Sequence, residues 1–457
     1  MRLRLLRLLA MSLALSAFTA SAFADGPLDP SFGDSGFGFQ VLKIGDSSTI
    51  TESSQISALS QDADGQLVTA GVSQRQLFVA RHRSSPDGNL DGAFGDKGVA
   101  TSFFGDNNNG ATSVRVDHHG HIVAGGFVSG DVACPDGDEY RTFFTAVRLN
   151  DDRGKGGDAD FTFGSFGIAL YGGCDQDLSG VADIAIDDDD AVIAVGSANP
   201  SSSDLTEHST VIALIRWTAS GILDTSFGES GAQLTSYGDS AGGVSVKRDK
   251  AGRILVAAIA SESENRIPLV LRYTPDGKLD STFGKDGIAA LPPIAIRAST
   301  YGNVCCLAVD LLGRIYIAGG IDDNGDGYFG FLARVTSSGS LDATFGVNGV
   351  AIVPYGRSYV GSLVLDHSSR PILAGYCSVY VYAESCVTHF NLDGTINRTL
   401  GDSGIYTTQL GFGQTYATSL LVDGLGRPTI AAIAYDTSGI PQPVLIRYDE
   451  MFGDGFD

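Results

Sequence analysis

The stretch Asp322-Asp323-Asn324-Gly325-Asp326-Gly327 puts side-chain oxygens at the first, third and fifth places of a loop and a glycine at the sixth. That is the first half of an oxygen-rich calcium loop, with Asp322, Asn324 and Asp326 as ligands and the glycine making the bend. The second half does not follow. Place nine is Gly330, and place twelve, where a glutamate would close the shell, is Ala333. An acidic Asn-Gly hairpin turn accounts for the same residues, so Ca2+ is a partial suggestion. Asp106-Asn107-Asn108-Asn109-Gly110 is a weaker one. His118, His119 and His121 could hold a transition metal, but they flank a turn whose sister copies carry Lys, Leu, Ala or Arg, which reads as exposed turn chemistry.

Six cysteines are few for 457 residues and suit an oxidising compartment, where disulfides add to a core that already exists. Cys134 with Cys174, and Cys377 with Cys386, are the candidate bridges. Cys305 and Cys306 are adjacent in a strand, should point to opposite faces and are expected as buried thiols. No CxxC spacing suggests zinc. No Gly-x-Ser-x-Gly elbow, phosphate loop or dinucleotide fingerprint stands in its required context, so no catalytic residue is assigned.

The elements that position these residues come from repetition. The tag Leu28-Asp29-Pro30-Ser31-Phe32-Gly33-Asp34-Ser35-Gly36 returns at residues 90–98, 223–231, 279–287 and 341–349. A degenerate copy lies at 160–167 and a worn one at 396–404, where Leu400 replaces Phe. Between tags, Asp62-Ala63-Asp64-Gly65 recurs at 117–120, 249–252, 310–313 and 423–426, while Asp187 and Asp366 hold the place without the glycine. A strand then ends in Arg81, Arg148, Arg216, Arg272, Arg334 or Arg447, and in His389 in the remaining copy. Three markers in one order, seven times, define repeats of about 60 residues.

Each repeat reads as four short strands, the first directly after the tag, as at 99–104 and 350–353. The fold class is therefore all-β: a seven-bladed β-propeller of seven tandem four-stranded repeats, occupying residues 25–448 as a single domain. The Asp and Gly of the markers serve turns, and the tag Leu and Phe fill the gap between blades. The pattern Leu-Asp-x-x-Phe-Gly-x-x-Gly, then Asp-x-x-Gly, then Arg, resembles the delta-60 repeat family of bacterial proteins over residues 28 to about 448. The resemblance implies a propeller-like array on exported proteins and brings no catalytic residues.

Antiparallel strand order sorts the loops. Tags and Asp turns share one nearly constant face. The other is variable, with insertions at 129–142 and 197–210 and a lengthened connection at 291–303. Variable loops on a rigid scaffold carry recognition. Phe104, Tyr171, Tyr237 and Tyr355 close strands on that face, each followed by glycine, and serve either as binding aromatics or as packing for neighbouring loops.

Arg2, Arg4 and Arg7, an apolar run from Leu8 to Ala20, and Ala22-Phe23-Ala24 make residues 1–24 an expected cleaved signal peptide. No later segment is apolar enough to span a bilayer, so none is expected in the mature chain. Without Arg2, Arg4 and Arg7, 27 Lys and Arg face 53 Asp and Glu, a net charge of −26. Such a surface repels nucleic acid and anionic lipid. Residues 449–457 form a short acidic tail. Met451 to Asp457 resembles a Phe-x-Asp-Gly-Phe-acid ending of some exported Gram-negative proteins, or it is a remnant of an eighth tag. These features describe a protein of the periplasm, cell surface or extracellular space, expected as a monomer. The leading reading is a non-catalytic scaffold that binds a protein or glycan. The alternatives are a metal-assisted hydrolase or lyase and a calcium-stiffened envelope protein.

Overall fold

The computed structural model describes residues 23–24 and 28–449, except 34–35, 45–53, 84–87, 102, 106, 135–136, 152–155, 175, 201–209, 264, 293–299, 323–327, 354–355, 379–382, 399–403, 411–412 and 437–438. Every regular element among them is a strand. The strands form seven antiparallel sheets arranged as blades in a ring, a seven-bladed β-propeller. The inner strands are Ser54–Gln61, Asn108–Val116, Gln176–Ile186, Ser240–Arg248, Thr300–Val309, Arg357–Leu365 and Thr415–Val422. Each packs against the blade before it and the blade after it, and apolar clusters fill the wedges between sheets.

Repeat and blade are out of phase by one strand. The strand after a tag, such as Val99–Ala100 or Val350–Ile352, is the outermost strand of the preceding sheet and not the first of a new one. The next three strands build the following blade. This offset decides how the ring closes. Blade 7 takes three strands from the C-terminal end and its outer strand, Phe39–Val41, from the N-terminal end, paired as Phe39↔Ile446, Gln40↔Leu445 and Val41↔Val444. Blade 6 carries a fifth strand, Phe23–Ala24, against Ile405–Gln409.

Each marker residue has an architectural task. In all seven Asp turns the carboxylate accepts the amides two and four residues on, as from Ala251 and Arg253 onto Asp249. The fourth place needs a positive φ. Gly252 has +77°, and where the glycine is missing Asp190 and Ser369 are held at +59° and +62°. Each tag Phe is fully buried, and its guanidinium partner lies over the ring at 4.4 to 6.0 Å from the centroid. A glycine of the next blade makes room for the ring. A Cβ on Gly221, Gly277 or Gly339 would meet Phe163, Phe227 or Phe283 within 3.2 Å.

The inner strands share one further device. Each is bulged at the same register against its second strand, with Ser57, Thr112, Ala182, Val244, Cys305, Gly361 or Thr418 as the extra residue. The bulge turns the next residue toward the neighbouring blade. Ser113, Asp183, Ser362 and Ser419 there accept the amides of Ile184, Val246, Leu420 and Leu59, which seals four blade junctions near the axis.

Candidate functional site

On the constant face the eye-catching side chains are consumed by architecture. Arg148, Arg272, Arg334 and Arg447 donate to their tag carboxylates, Asp160, Asp280, Asp342 and Asp29, at 2.7 to 2.8 Å. Arg272 and Arg334 reach on to the carbonyls of Ser337 and Leu392 in the next blade. Blade 6 substitutes the set together. His389 replaces Arg and accepts at Nδ1 from the amide of Asn397, which replaces Asp, while its Nε2–H donates to Asp366.

The acidic turn of blade 3 is gripped from both sides. Asp190 faces His118 at 2.7 Å and His119 at 3.2 Å, and Asp188 meets Arg248. His121 bonds Asp117. Below the turn Asp183 accepts from Ser113, Arg115, Ser245, Val246 and Lys247. Burial opposes its charge, but Lys247 and Arg115 outweigh burial and hold the carboxyl far below the usual range. His118 and His119 are thus exposed turn residues that also pair with a carboxylate of the next blade, whereas His121 bonds the carboxylate of its own turn. Among the described residues no group of three or more His, Cys, Asp or Glu is arranged to hold a metal ion. Asn324 and Asp326 lie outside the described residues, and of Asp322 only the backbone, at a strand end, is described.

The inner-to-second turns and the tags lie at one end of the blades, and the second-to-third and blade-to-blade connections lie at the other. At that variable end Phe104, Tyr171 and Tyr237 are half-buried against apolar clusters. Tyr355 lies outside the described residues. The insertion at 129–142 is no loop. Strands Ile122–Cys134 and Gly137–Leu149 stay paired out to Cys134↔Gly137, and the ladder runs on as a hairpin arm with exposure alternating along Ile122–Cys134. Cys134 is bonded to Cys174 across the base of the next connection, and Cys377 to Cys386 across one hairpin. Cys305 and Cys306 are also bonded, against the expectation of two thiols on opposite faces. The bulge at Cys305 breaks the alternation on which that expectation rests.

The structure also gathers side chains that sequence reasoning missed. Tyr359 stacks on Tyr376 at 5.6 Å, Tyr376 meets Tyr416 edge-on at 5.0 Å, and Tyr416 meets Tyr435 at 6.0 Å. All four are half-buried at the variable end of blades 6 and 7. Burial, then the neighbouring Tyr435 and Tyr376, push the Tyr416 phenol above its ordinary pKa. A signal was available, since nine of the sixteen tyrosines fall between 355 and 448.

A family model described as a domain of unknown function (DUF5122) beta-propeller matches residues 252–283 and 313–345. The chain is similar to a β-propeller repeat family. Both matches run from the glycine of an Asp turn to the Phe of a tag. No curated protein matches. Solved structures of similar shape include a protein of unknown function from Dyadobacter fermentans, at 11% identity and TM-score 0.42, covering 90% of this chain and 99% of that one. Another is a family PL25 ulvan lyase, at 9% and 0.47, covering 87% and 95%. A third is the periplasmic gluconolactonase of Pseudomonas aeruginosa, at 11% and 0.43, covering 88% and 97%.

Proposed function

We propose that this is an exported, non-catalytic binding scaffold of the delta-60 type, which recognises a protein or glycan through its variable face. The observation that carries the reading is the asymmetry between faces. On one, the tag and turn side chains are spent on their own backbone and on the next blade. The other bears the hairpin arm, two of the disulfides and the tyrosine cluster. Three disulfides favour an oxidising compartment, and removal of residues 1–24 would take only the Phe23–Ala24 edge strand from blade 6. No helix among the described residues is long and apolar enough to cross a membrane.

The test uses the mature chain on a panel of purified polysaccharides and exported proteins. Trimming the hairpin arm at 129–142 and the connection at 197–210 to short turns should abolish capture without unfolding, whereas Asp188→Asn on the constant face should leave capture intact. Capture indifferent to both trims, or release of new reducing ends or unsaturated products from a bound polysaccharide, would overturn the reading.

A further inference from the structure

We propose that Tyr359, Tyr376, Tyr416 and Tyr435 form a stacking platform for a neutral oligosaccharide at the variable end of blades 6 and 7, a site that deepens the binding reading above and rests on it. Tyr359 and Tyr416 stand third and second in the inner strands of blades 6 and 7, at the ends remote from the Asp turns. Tyr376 lies directly across from Tyr359, and Tyr435 ends the second strand of blade 7.

In the sister repeats the places of Tyr359, Tyr416 and Tyr435 carry no ring. Counting seven residues back from the turn Asp, the other five blades hold Gln55, Gly110, Gly180, Gly242 and Asn303 where blades 6 and 7 hold Tyr359 and Tyr416. Three junctions need glycine because the previous blade's side chain takes the space. A Cβ on Gly110 would meet Val72 at 2.4 Å, on Gly180 Phe127 at 2.7 Å and on Gly242 Ser197 at 2.6 Å. The place of Tyr435 is Gln74, Ser129, Asn199, Ser261, Asp322 or Ser378 elsewhere. None of the four tyrosines belongs to an apolar cluster of the core, unlike Tyr406 and Tyr448 of the same blades. Tyr359, Tyr416 and Tyr435 therefore stand where the repeat asks for small or polar residues, while Tyr376 stands where sister blades hold Val72, Phe127, Ile259 or Ile433.

The chemistry of that surface selects the ligand. Faces of phenol rings attract the polarised C–H groups on one side of a pyranose, while phenol hydroxyls bond its alcohols. Gln414, exposed, accepts the Tyr416 hydroxyl, and Arg357 is exposed beside Tyr359. The four rings run from blade 6 to blade 7 in series, which favours a chain over a monosaccharide. The mature charge of −26 disfavours uronate and sulfated polymers. The Cys377–Cys386 bridge stiffens the hairpin that carries Tyr376, so little ordering remains to be done on binding.

The experiment titrates the mature full chain with glucose-, mannose- and galactose-based hexasaccharides and with polygalacturonate. Readouts are calorimetry and the tyrosine near-ultraviolet difference spectrum. At least one neutral hexasaccharide should bind and perturb tyrosine, and polygalacturonate should not. The sister-repeat substitutions Tyr359→Asn, Tyr416→Gln and Tyr435→Ser should each weaken binding about tenfold with an unchanged melting midpoint. Tyr435→Ser, at a strand end, keeps the test decisive if an inner-strand variant fails to fold. No binding by any neutral hexasaccharide, wild-type affinity in Tyr435→Ser, or preference for polygalacturonate would sink the platform. If the tyrosine variants capture panel partners normally and the trimmed variants do not, the platform fails while the binding face stands.

Discussion

His82 shows how one buried side chain sets a pH limit. Its Nδ1–H donates to the carbonyl of Gly88 at 2.9 Å, which leaves Nε2 to accept the Thr69 hydroxyl at 3.1 Å. Burial disfavours the imidazolium and lowers the pKa to about 4. The folded value lies below the unfolded one, so the contribution to stability is complete above about pH 6.5 and drains away as pH falls toward 4. The interval corresponds to about 3 kcal/mol. Urea denaturation from pH 7 to pH 4 should show that loss, and His82→Gln should flatten the profile across the window. A profile unchanged by the substitution would place the acid sensitivity elsewhere. The same scale explains the worn seventh tag. Once Arg becomes His389 the paired acid has no cation to meet, and Asn397 supplies a neutral donor in its place.

At the scale of elements the turns are the clearest case of local chemistry. An L-residue forced to positive φ costs roughly 1 kcal/mol relative to glycine. Ser369 at φ +62° should therefore repay replacement. Ser369→Gly is expected to raise the unfolding free energy by about 0.5–1 kcal/mol, read by chemical denaturation. The matching Asp190→Gly relieves the same strain but removes the partner of His118 and His119, so no gain is expected there. A stabilised Asp190→Gly would show that those contacts contribute nothing. Strand existence and the turn places were legible because alternation and turn chemistry are local. The order of strands within a blade was misphased, because the tag looks like a beginning in the chain although it joins the third strand of a sheet to its outermost one.

At the scale of the molecule the ring is held by its closure. Blade 7 depends on Phe39–Val41 and on the first tag, whose Asp29 bonds Arg447 at 2.8 Å and whose Phe32 lies under that guanidinium. Deleting residues 25–42 should leave six complete blades and a seventh with a bare edge. The expected result is a melting midpoint lowered by many degrees and self-association through the exposed edge, seen by calorimetry and light scattering. Deleting the tail after Asp449 should leave the midpoint unchanged. A closure deletion that melts like the full chain would mean that the ring does not need its N-terminal strand.

The amino-acid sequence by itself determined the repeat number, the all-β class, the division into a constant and a variable end, and the structural role of most Asp, Gly and Phe residues. Each follows from short-range rules: period-two alternation, turn preference and recurrence in register. Only the tertiary structure decided that blade 7 is built from both chain ends, that the bulge brings Cys305 and Cys306 into a bond, and that Tyr359, Tyr376, Tyr416 and Tyr435 share one surface. Those facts depend on which sheets lie side by side and on where a ladder slips by one residue. Neither is written in the spacing of any single strand.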